Sequence, residues 1–494
     1  MKQILSQLEY HALHTPDQPA IISGETIISY RELAARVQTM AEHFSQSGCQ
    51  TLAFQFDNGV DWIVTDLAGA AAEMDIVPIP GFFTPQQLNH VISDAAIDLY
   101  GTTDQVAPGA GWLTHPSPEA VSPAFFYRLA EKPGKSGSPL QTKITYTSGS
   151  TGNPKGVMLS GTTIDTVAQS IVTAMSSLEI SKHLCLLPMA TLLENVAGVY
   201  APLLRGITIE CPSLNDIGLS GASLDIEKFC AVINNAEADS IILVPQLLTA
   251  LVTLAEFGLL NTNSLKMIAV GGGRISQHLL DRADKLGLPV FQGYGLSECC
   301  SVLTLNTPLA NRPGSVGKPL PHAEIRVSDT GELEARGSTM VGYLGGTANN
   351  TDWYATGDLG YIDAEGYVYI TGRRKNVFIT SFGRNVNPEW VESALTQQAA
   401  VSQALIFGEA QAHNLALLWL RFEQTPEQLA EMIALTNQEL PDYAQVHQYI
   451  VMSDPIDPAL ITANGRIKRQ ETIGTYLDVI EQHFAHGEAK HAVL

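Results

Sequence analysis

Short apolar runs alternate with stretches of helical periodicity through the first three-quarters of the chain. Residues 52–56 and 76–79 are apolar or β-branched runs bounded by turn residues, and residues 60–74 between them carry apolar side chains at helical spacing. The same alternation recurs around residues 184–187, 241–244, 267–270 and 289–291. This pattern predicts a mixed, largely parallel α/β sheet, whose ligands bind where strands end in loops.

The pattern changes after Gly345. Residues 357–371 alternate apolar and polar positions around turns that contain glycine, which predicts antiparallel hairpins. Helical periodicity at 388–397 and 426–438, with strand-like runs at 404–407 and 415–420, then predicts a separate small α+β domain. We therefore expect a large N-terminal domain of layered sheets and helices over 1–373, a hinge at 374–376 and a mobile C-terminal domain over 377–494.

Charge and composition narrow the classes of partner. Lys plus Arg is 28 and Asp plus Glu is 50, so the formal net charge is −22, which opposes binding to nucleic acid and to anionic lipid. A polyphosphate ligand would need local donors and a metal ion to overcome this field. The six cysteines lack metal-ligand spacing, and neither a secretory signal nor a membrane-length apolar run is present. These features predict a soluble cytoplasmic protein with reduced thiols.

The segment with the clearest chemical signature is 144–156, Ile-Thr-Tyr-Thr-Ser-Gly-Ser-Thr-Gly-Asn-Pro-Lys-Gly. A strand-like run leads into a loop whose hydroxyl groups, glycine amides and closing lysine can surround one anion. The spacing of a Walker A loop is absent, which disfavours an ordinary P-loop NTPase. A flexible linker would rarely follow a strand directly and end in Pro-Lys-Gly. The candidate phosphate-binding residues are Thr147, Ser148, Gly149, Ser150, Thr151, Gly152 and Lys155.

This segment resembles the phosphate loop of the acyl-adenylating (AMP-binding) superfamily, which contains acyl-CoA synthetases, luciferase-like enzymes and peptide-synthetase adenylation domains. Four further motifs resemble the family's and follow in its order: VGGG at 270–273, QGYGLSE at 292–298, TGD at 356–358 and GRRKN at 372–376. The resemblance spans the chain, and within the family the sequence most resembles fatty-acid-type acyl-CoA ligases. It implies activation of a carboxylic acid to an acyl-adenylate, with ATP and Mg²⁺ as cofactors.

The resemblance also implies roles for individual residues. Tyr294 would lie against adenine, Glu298 would bind Mg²⁺, and Asp358 and Arg373 would hold the ribose. Ser297 would meet the α-phosphate. The other expected nucleotide contacts are Gly271, Gly272, Gly273, Gln292, Gly293 and Gly295, and the expected catalytic residues are Thr147, Lys155, Glu298 and Arg466.

Without that context, three of these residues have plainer interpretations. Glu298 would be a solvated acid at a helix start, Asp358 a turn residue, and Tyr294 a core aromatic. Beside a phosphate loop, however, a carboxylate is the ligand that phosphate-bound Mg²⁺ requires, and an aspartate is a recurrent partner of ribose hydroxyls. The expected reaction is in-line attack of a substrate carboxylate oxygen on the α-phosphorus, with pyrophosphate leaving.

The chain departs from the family near its C-terminus. Where the family has a lysine that bridges the carboxylate and the α-phosphate, this sequence has Arg466. Arginine keeps the charge but is not interchangeable with an ammonium group. Either Arg466 performs the role, or Lys468 replaces it from the same face of a strand, or adenylation is slow; the first is favoured. Asn376 occupies the hinge position at which the family has an acidic residue.

A second departure concerns the substrate. Thr191 stands where fatty-acid-type relatives carry a histidine, and an aspartate that would hold an amino-acid substrate is absent nearby. Glu194 could serve, but a surface or helix-capping acid is the favoured interpretation. The pocket candidates are apolar or small, which suits an acyl or aryl acid: Val196, Val199, Tyr200, Val244, Gly271 and Gly272.

Three functions remain open at this point. The first is a CoA ligase for a fatty or other apolar acid, with thiol attack after the C-terminal domain rotates. The second passes the acyl group to the phosphopantetheine of a carrier protein or to an amine, although the acidic surface disfavours an acidic carrier. The third is a nucleotide-binding or acyl-adenylate-binding protein that lost activity with the family lysine.

Overall fold

The computed structural model describes residues 1–116, 124–131, 141–147, 154–220, 223–349, 351–461, 467–486 and 491–493. A first sheet has a parallel centre, in which Ser240–Leu243, Met267–Val270 and Val290–Tyr294 are neighbours. Its strands, in spatial order, are Lys318–Pro319, Thr304–Leu305, Val290–Tyr294, Met267–Val270, Ser240–Leu243, Lys182–Leu184, Thr208–Glu210, Pro19–Ser23 and Thr26–Ser29.

A second sheet combines a parallel centre with antiparallel edges. Its strands, in spatial order, are Gly342–Tyr343, Lys155–Ser160, Thr142–Thr147, Asp75–Pro78, Thr51–Gln55, Leu99–Thr102, Phe125–Leu129 and Trp112–His115. Helices pack between the two sheets, because one hydrophobic core contains Ile21 of the first sheet, Leu52 of the second and Trp62 of an intervening helix.

Two smaller sheets follow. The antiparallel sheet Ala323–Val327, Glu332–Gly337, Tyr354–Ile362 and Val368–Arg373 contains the hairpin predicted at 357–371. A C-terminal sheet with its own core consists of Val401–Phe407, Asn414–Leu420, Val446–Met452 and His491–Val493. Short hairpins lie at Leu219–Ser220 with Ser223–Leu224 and at Phe378–Ile379 with Asn385–Val386.

Side-chain caps define many helix starts. Ser29 and Glu32 form a reciprocal capping box, as do Thr425 and Gln428, so the first backbone amides of both helices are satisfied. The α-helices are Lys2–His14, Tyr30–Ser47, Val60–Ala71, Pro85–Asp94, Gly161–Ala174, Ala201–Arg205, Leu214–Ile217, Ile226–Ala236, Pro245–Glu256, Gln277–Lys285, Pro388–Thr396, Pro426–Gln438, Arg469–Thr475 and Leu477–His486. Glu194–Tyr200 is a π-helix, and Ser297–Cys299, Asp442–Ala444 and Pro458–Leu460 are 3₁₀ turns.

The predicted mixed α/β architecture, with a large N-terminal part and a smaller C-terminal α+β part, is confirmed. One strand differs from its prediction, because Lys182–Leu184 ends before residue 187. The backbone carbonyl of Leu187 accepts from the amide of Asn58, and its N–H donates to Glu194. Side chains therefore form the hydrogen bonds to the N–H and carbonyl of Leu187 that a neighbouring strand would otherwise form. In the described parts of the chain, no helix has the length and apolar character needed to cross a bilayer.

Candidate active site

The phosphate-loop segment is anchored at both ends by one antiparallel hairpin. Thr147, at the end of Thr142–Thr147, pairs with Lys155, at the start of Lys155–Ser160. Gly156 is required there because a Cβ atom would lie 3.0 Å from Ile144 and 3.2 Å from Leu344. The predictions for Ser148, Gly149, Ser150, Thr151 and Gly152 lie outside the described residues. The hairpin places Thr147 and the exposed Lys155 side by side at the edge of the second sheet.

Glu298 lies at the apex of a tight turn that follows the strand Val290–Tyr294. Cys300 and Ser301 have φ values of 54° and 79°, a left-handed conformation that costs free energy in residues other than glycine. Gly295 allows the chain to fold back, since a Cβ atom would lie 1.8 Å from the Ser301 carbonyl oxygen. The backbone carbonyl of Glu298 accepts from Met340 N at 2.7 Å, which ties the turn to the next segment.

Tyr343 connects Glu298 to the phosphate-loop hairpin. Its backbone pairs with Val157, and its hydroxyl donates to Glu298 Oε1 at 2.7 Å. The Nζ atom of Lys155 lies 5.8 Å from the centroid of the same ring. Lys155 and Glu298, which are far apart in sequence, are therefore both neighbours of the Tyr343 side chain.

A second cluster joins Tyr294, Asp358 and Arg373. The Tyr294 hydroxyl donates to Asp358 Oδ2 at 2.6 Å, and Arg373 Nε lies 2.7 Å from Asp358 Oδ1. Asp358 and Arg373 face each other across paired antiparallel strands, and the carboxylate is almost fully buried. Burial, followed by the charge of Asp358, raises the pKa of Tyr294, so its phenol stays protonated and donates.

The glycine-rich end of Met267–Val270 lies beside this cluster. A Cβ atom at Gly271 would lie 3.5 Å from Leu193 and 3.9 Å from the Gly293 carbonyl oxygen, and Gly272 has a φ of 78°. Val270 pairs with Gln292, whose side chain is buried. Within the described residues, Oε1 of Gln292 has no hydrogen-bond partner. A buried acceptor without a partner fits the amino group of a purine such as adenine.

The residues present also fit a magnesium ion. Glu298 supplies a carboxylate, the ligand type that Mg²⁺ prefers when it bridges to phosphate. Tyr343 engages Oε1, and among described residues no hydrogen bond to Oε2 is recorded. That oxygen and the neighbouring Lys155 would together suit a metal-bound polyphosphate.

The pocket candidates lie on and around the π-helix Glu194–Tyr200. Val196 and Val199 are fully buried, and the Thr191 hydroxyl donates to the Pro188 carbonyl at 2.6 Å. The hydroxyl of Tyr200 contacts Asp66 and lies 2.5 Å from Lys143 Nζ, so its polar end faces a buried ion pair. Leu193, which the sequence analysis did not single out, faces Gly271.

The interpretation of Glu194 as a surface or capping acid is wrong. Its side chain is fully buried, and its carboxylate lies 3.2 Å from His183 Nε2 and accepts from Leu187 N at 3.3 Å. The other nitrogen of His183 lies 2.9 Å from the Ser240 hydroxyl. Glu194 therefore links the π-helix to two strands of the first sheet. A buried acid at the start of a π-helix has no local sequence signal.

The family of the chain follows from comparison with family models. Residues 8–344 match the model of AMP-binding enzymes, and residues 375–488 match the model of the AMP-binding enzyme C-terminal domain. The chain belongs to the AMP-binding enzyme family. The predicted resemblance of the chain to this family is thereby confirmed.

Relatives of this AMP-binding enzyme include CoA ligases. The 2-succinylbenzoate–CoA ligase of Lactococcus lactis is 24% identical over 466 residues, covering 90% of this chain and 96% of that protein. The ligase of the same name from Bacillus velezensis is 31% identical over 284 residues, covering 54% of this chain and 55% of that protein.

Solved structures share the fold. An anthranilate CoA ligase in complex with anthranoyl-AMP has a TM-score of 0.80 at 17% identity, covering 97% of this chain and 98% of that one. The o-succinylbenzoate CoA synthetase of Bacillus subtilis, in complex with its acyl-adenylate intermediate, has a TM-score of 0.75 at 22% identity, covering 94% and 97%.

The C-terminal candidates of this AMP-binding enzyme have different outcomes. Arg466 lies outside the described residues. Lys468 precedes the helix Arg469–Thr475, and its Nζ donates to the Ala459 carbonyl at 2.8 Å. Lys468 therefore lies at a helix start, and its substitution for Arg466 stays one of the open alternatives. Asn376, at the expected hinge, donates to Glu389 Oε1 at 2.6 Å.

Proposed function

We propose that the chain uses ATP and Mg²⁺ to convert an aryl or other apolar carboxylic acid into an acyl-adenylate, releases pyrophosphate and transfers the acyl group to CoA. The observation that carries this proposal is Tyr343, which contacts both Lys155 and Glu298. A phosphate-loop lysine and a metal-type carboxylate beside one tyrosine are what a polyphosphate needs in a protein with strong net negative charge.

Each cluster then has a role toward the nucleotide. Lys155 and Thr147 would contact the phosphates, with Glu298 holding Mg²⁺, which neutralises phosphate charge when bound. Asp358 and Arg373 would hold the ribose. Adenine would lie among Tyr294, Gln292 and the glycines, with Ser297 toward the α-phosphate.

The reaction would begin when a carboxylate oxygen of the acid attacks the α-phosphorus. The bond to the β-phosphate oxygen breaks, and pyrophosphate leaves. The CoA thiolate would then attack the carbonyl carbon and release AMP. Arg466 would stabilise charge on the α-phosphate, since a guanidinium group can hold two oxygens at once.

The proposed acid is aromatic rather than fatty. The relatives named above are CoA ligases of 2-succinylbenzoate and of anthranilate, which gives the expectation of a fatty acid no support. In this chain Gly271 and Gly272 present backbone, and a Cβ atom at Gly272 would lie 3.6 Å from Val244. A wall of glycine backbone opposite Leu193 suits a flat ring.

We also propose the domain division at residues 374–376, with an N-terminal unit of 1–373 and a C-terminal unit of 377–494. Arg374 pairs with Glu332 at 2.7 Å, on the N-terminal side. Asn376 bonds to Glu389 on the C-terminal side. The residue between these two anchors, Lys375, would carry the rotation that brings CoA to the adenylate.

The test measures pyrophosphate release with ATP, Mg²⁺ and a panel of benzoates, fatty acids and amino acids. The proposal expects release with ortho-substituted benzoates and its loss in Lys155→Ala. Release with fatty acids alone would refute the proposed substrate. ATP binding without release for any acid would favour a protein that only binds nucleotide or acyl-adenylate.

A second measurement identifies the acceptor. The adenylated acid is offered CoA, a carrier protein bearing phosphopantetheine, and simple amines, and the products are identified by mass. The proposal expects the CoA thioester. Exclusive transfer to the carrier or to an amine would refute CoA as acceptor while leaving the adenylation step intact.

A further inference from the structure

Tyr343 lies in an edge strand, and its backbone and its side chain make separate contacts. The backbone of Gly342–Tyr343 extends the second sheet by pairing with Lys155–Ser160. The half-buried side chain packs at the margin of the main core. Neither of these contacts uses the hydroxyl group.

The Tyr343 hydroxyl has one close acceptor among the described residues. It donates to Glu298 Oε1 at 2.7 Å, whereas the hydroxyl of Tyr354 is 3.5 Å away. A hydrogen bond from a neutral donor to a carboxylate is short and directional.

A glutamate side chain has several rotatable bonds, and fixing them costs conformational entropy. An unrestrained Glu298 would have to be ordered each time a metal ion binds. With Oε1 already held, the carboxylate is fixed beside the tyrosine ring that also neighbours Lys155, and among the described residues Oε2 has no hydrogen bond and can take a cation. Pre-ordering of this kind raises ligand affinity without adding a contact to the ligand.

We propose that Tyr343 is a positioning residue that holds the carboxylate of Glu298 ready for the magnesium ion of ATP. This inference rests on the nucleotide site of the proposed function, but it requires neither a particular acid nor turnover. The ring of Tyr343 also lies near Lys155, so one residue places both the metal ligand and the phosphate-loop cation.

Tyr343→Phe isolates the hydroxyl, because the ring, the strand and the packing near Lys155 are retained. ATP binding is measured by isothermal titration calorimetry over a Mg²⁺ series that begins in chelator. We expect the Mg²⁺ concentration for half-maximal enhancement of ATP affinity to rise about tenfold, with affinity in chelator changed less than about twofold. The same Mg²⁺ dependence as the wild type would overturn the proposal, as would a shift to lower Mg²⁺.

Tyr354→Phe is the matched control, since it removes a neighbouring phenol that does not bond to Glu298. Its Mg²⁺ dependence should equal that of the wild type, and an equal shift in both variants would overturn a specific role for Tyr343. In a Glu298→Gln background, Tyr343→Phe should cause no further change. An additional tenfold shift there would show that Tyr343 acts by another route, which also overturns the proposal.

These outcomes are separable from failure of the proposed function. Mg²⁺-dependent ATP binding without release of pyrophosphate for any acid would refute adenylation and leave the Tyr343 comparison valid. ATP binding in the wild type that is indifferent to Mg²⁺ would overturn the positioning role directly.

Discussion

Replacing Lys143 by methionine should strongly destabilise the N-terminal part of the protein. Lys143 lies in the strand Thr142–Thr147, and its side chain is only 1% exposed. Its ammonium group donates to Asp66 at 2.7 Å and lies 2.5 Å from both Asn195 Oδ1 and the Tyr200 hydroxyl. Lys143 thus joins the phosphate-loop strand to the helix Val60–Ala71 through Asp66 and to the π-helix through Asn195 and Tyr200.

The size of the expected loss of stability follows from the burial of both side chains. Methionine fills most of the space of the lysine stem but leaves the Asp66 carboxylate without its cation, in a site where the side chain is also 1% exposed. Breaking a buried pair from one side costs about 3–5 kcal/mol. Most of that cost is the desolvation of the carboxylate that remains.

Stability is measured by urea unfolding, monitored by circular dichroism. The loss of unfolding free energy is obtained from the shift in urea midpoint and the wild-type slope. Lys266→Met is a matched control, because Lys266 and Asp239 are 2.8 Å apart but the lysine side chain is 46% exposed. Asp239 is itself buried but keeps hydrogen bonds from Ser181 and from the backbone N–H of Lys182, so loss of the solvent-exposed lysine should cost at most about 1 kcal/mol. Adding Asp66→Asn to Lys143→Met should recover part of the loss, since the neutral amide can still bond to Tyr200.

Equal losses in Lys143→Met and Lys266→Met would refute this reasoning, because burial would then have no bearing on the cost. So would a double variant that is less stable than Lys143→Met alone, because the unpaired charge would not be the source of the loss.

Three further predictions concern ATP affinity, the rate of adenylation and the pH dependence of stability. Asp358→Asn removes a charged hydrogen-bond acceptor whose interaction contributes about 1.5–3 kcal/mol. The ATP dissociation constant, measured by calorimetry, should therefore rise about 10- to 100-fold. An unchanged dissociation constant would contradict the proposed contact between Asp358 and the ribose. Arg466→Ala should slow adenylation about 100-fold at unchanged ATP affinity, with Arg466→Lys recovering rate in a pyrophosphate assay; equal rates in all three proteins would give Arg466 no part in that step. Burial lowers the pKa of His322 from 6.5 to about 4, so the unfolded chain binds the proton more tightly and stability should fall as the pH drops from about 6.5 to about 4. His322→Gln should show a smaller drop in urea midpoint over that range, and an identical drop would contradict the assignment.

Much of the local structure was predictable because its signals are local. The strand Met267–Val270 and the helix Pro426–Gln438 have the predicted bounds, since each has clear periodicity and a turn or cap at its start. The hairpin of Tyr354–Ile362 and Val368–Arg373 likewise follows from alternating apolar and polar residues around the glycine-containing turn at 363–366. The structure places Lys155 and Glu298 beside Tyr343 and brings Tyr294 into contact with Asp358.

The contacts that organise the site were not predictable, because they join distant segments. Tyr343 follows a glycine in a short apolar run and has no feature that points to Glu298, 45 residues earlier. Glu194 was misinterpreted because its partner His183 lies on a strand, 11 residues away and on another element. Lys143 did have a signal, a lone cation in a strand of otherwise uncharged residues, which indicates a buried partner.

The most direct test of the central claim is the fate of a carboxylate oxygen. The acid is prepared with a heavy oxygen isotope at both carboxylate oxygens and incubated with ATP, Mg²⁺ and CoA, and the nucleotide product is analysed by mass spectrometry. Attack of the carboxylate on the α-phosphorus predicts one labelled oxygen in AMP for each acyl-CoA formed. Label in inorganic phosphate with ADP as product, or unlabelled AMP, would contradict formation of an acyl-adenylate.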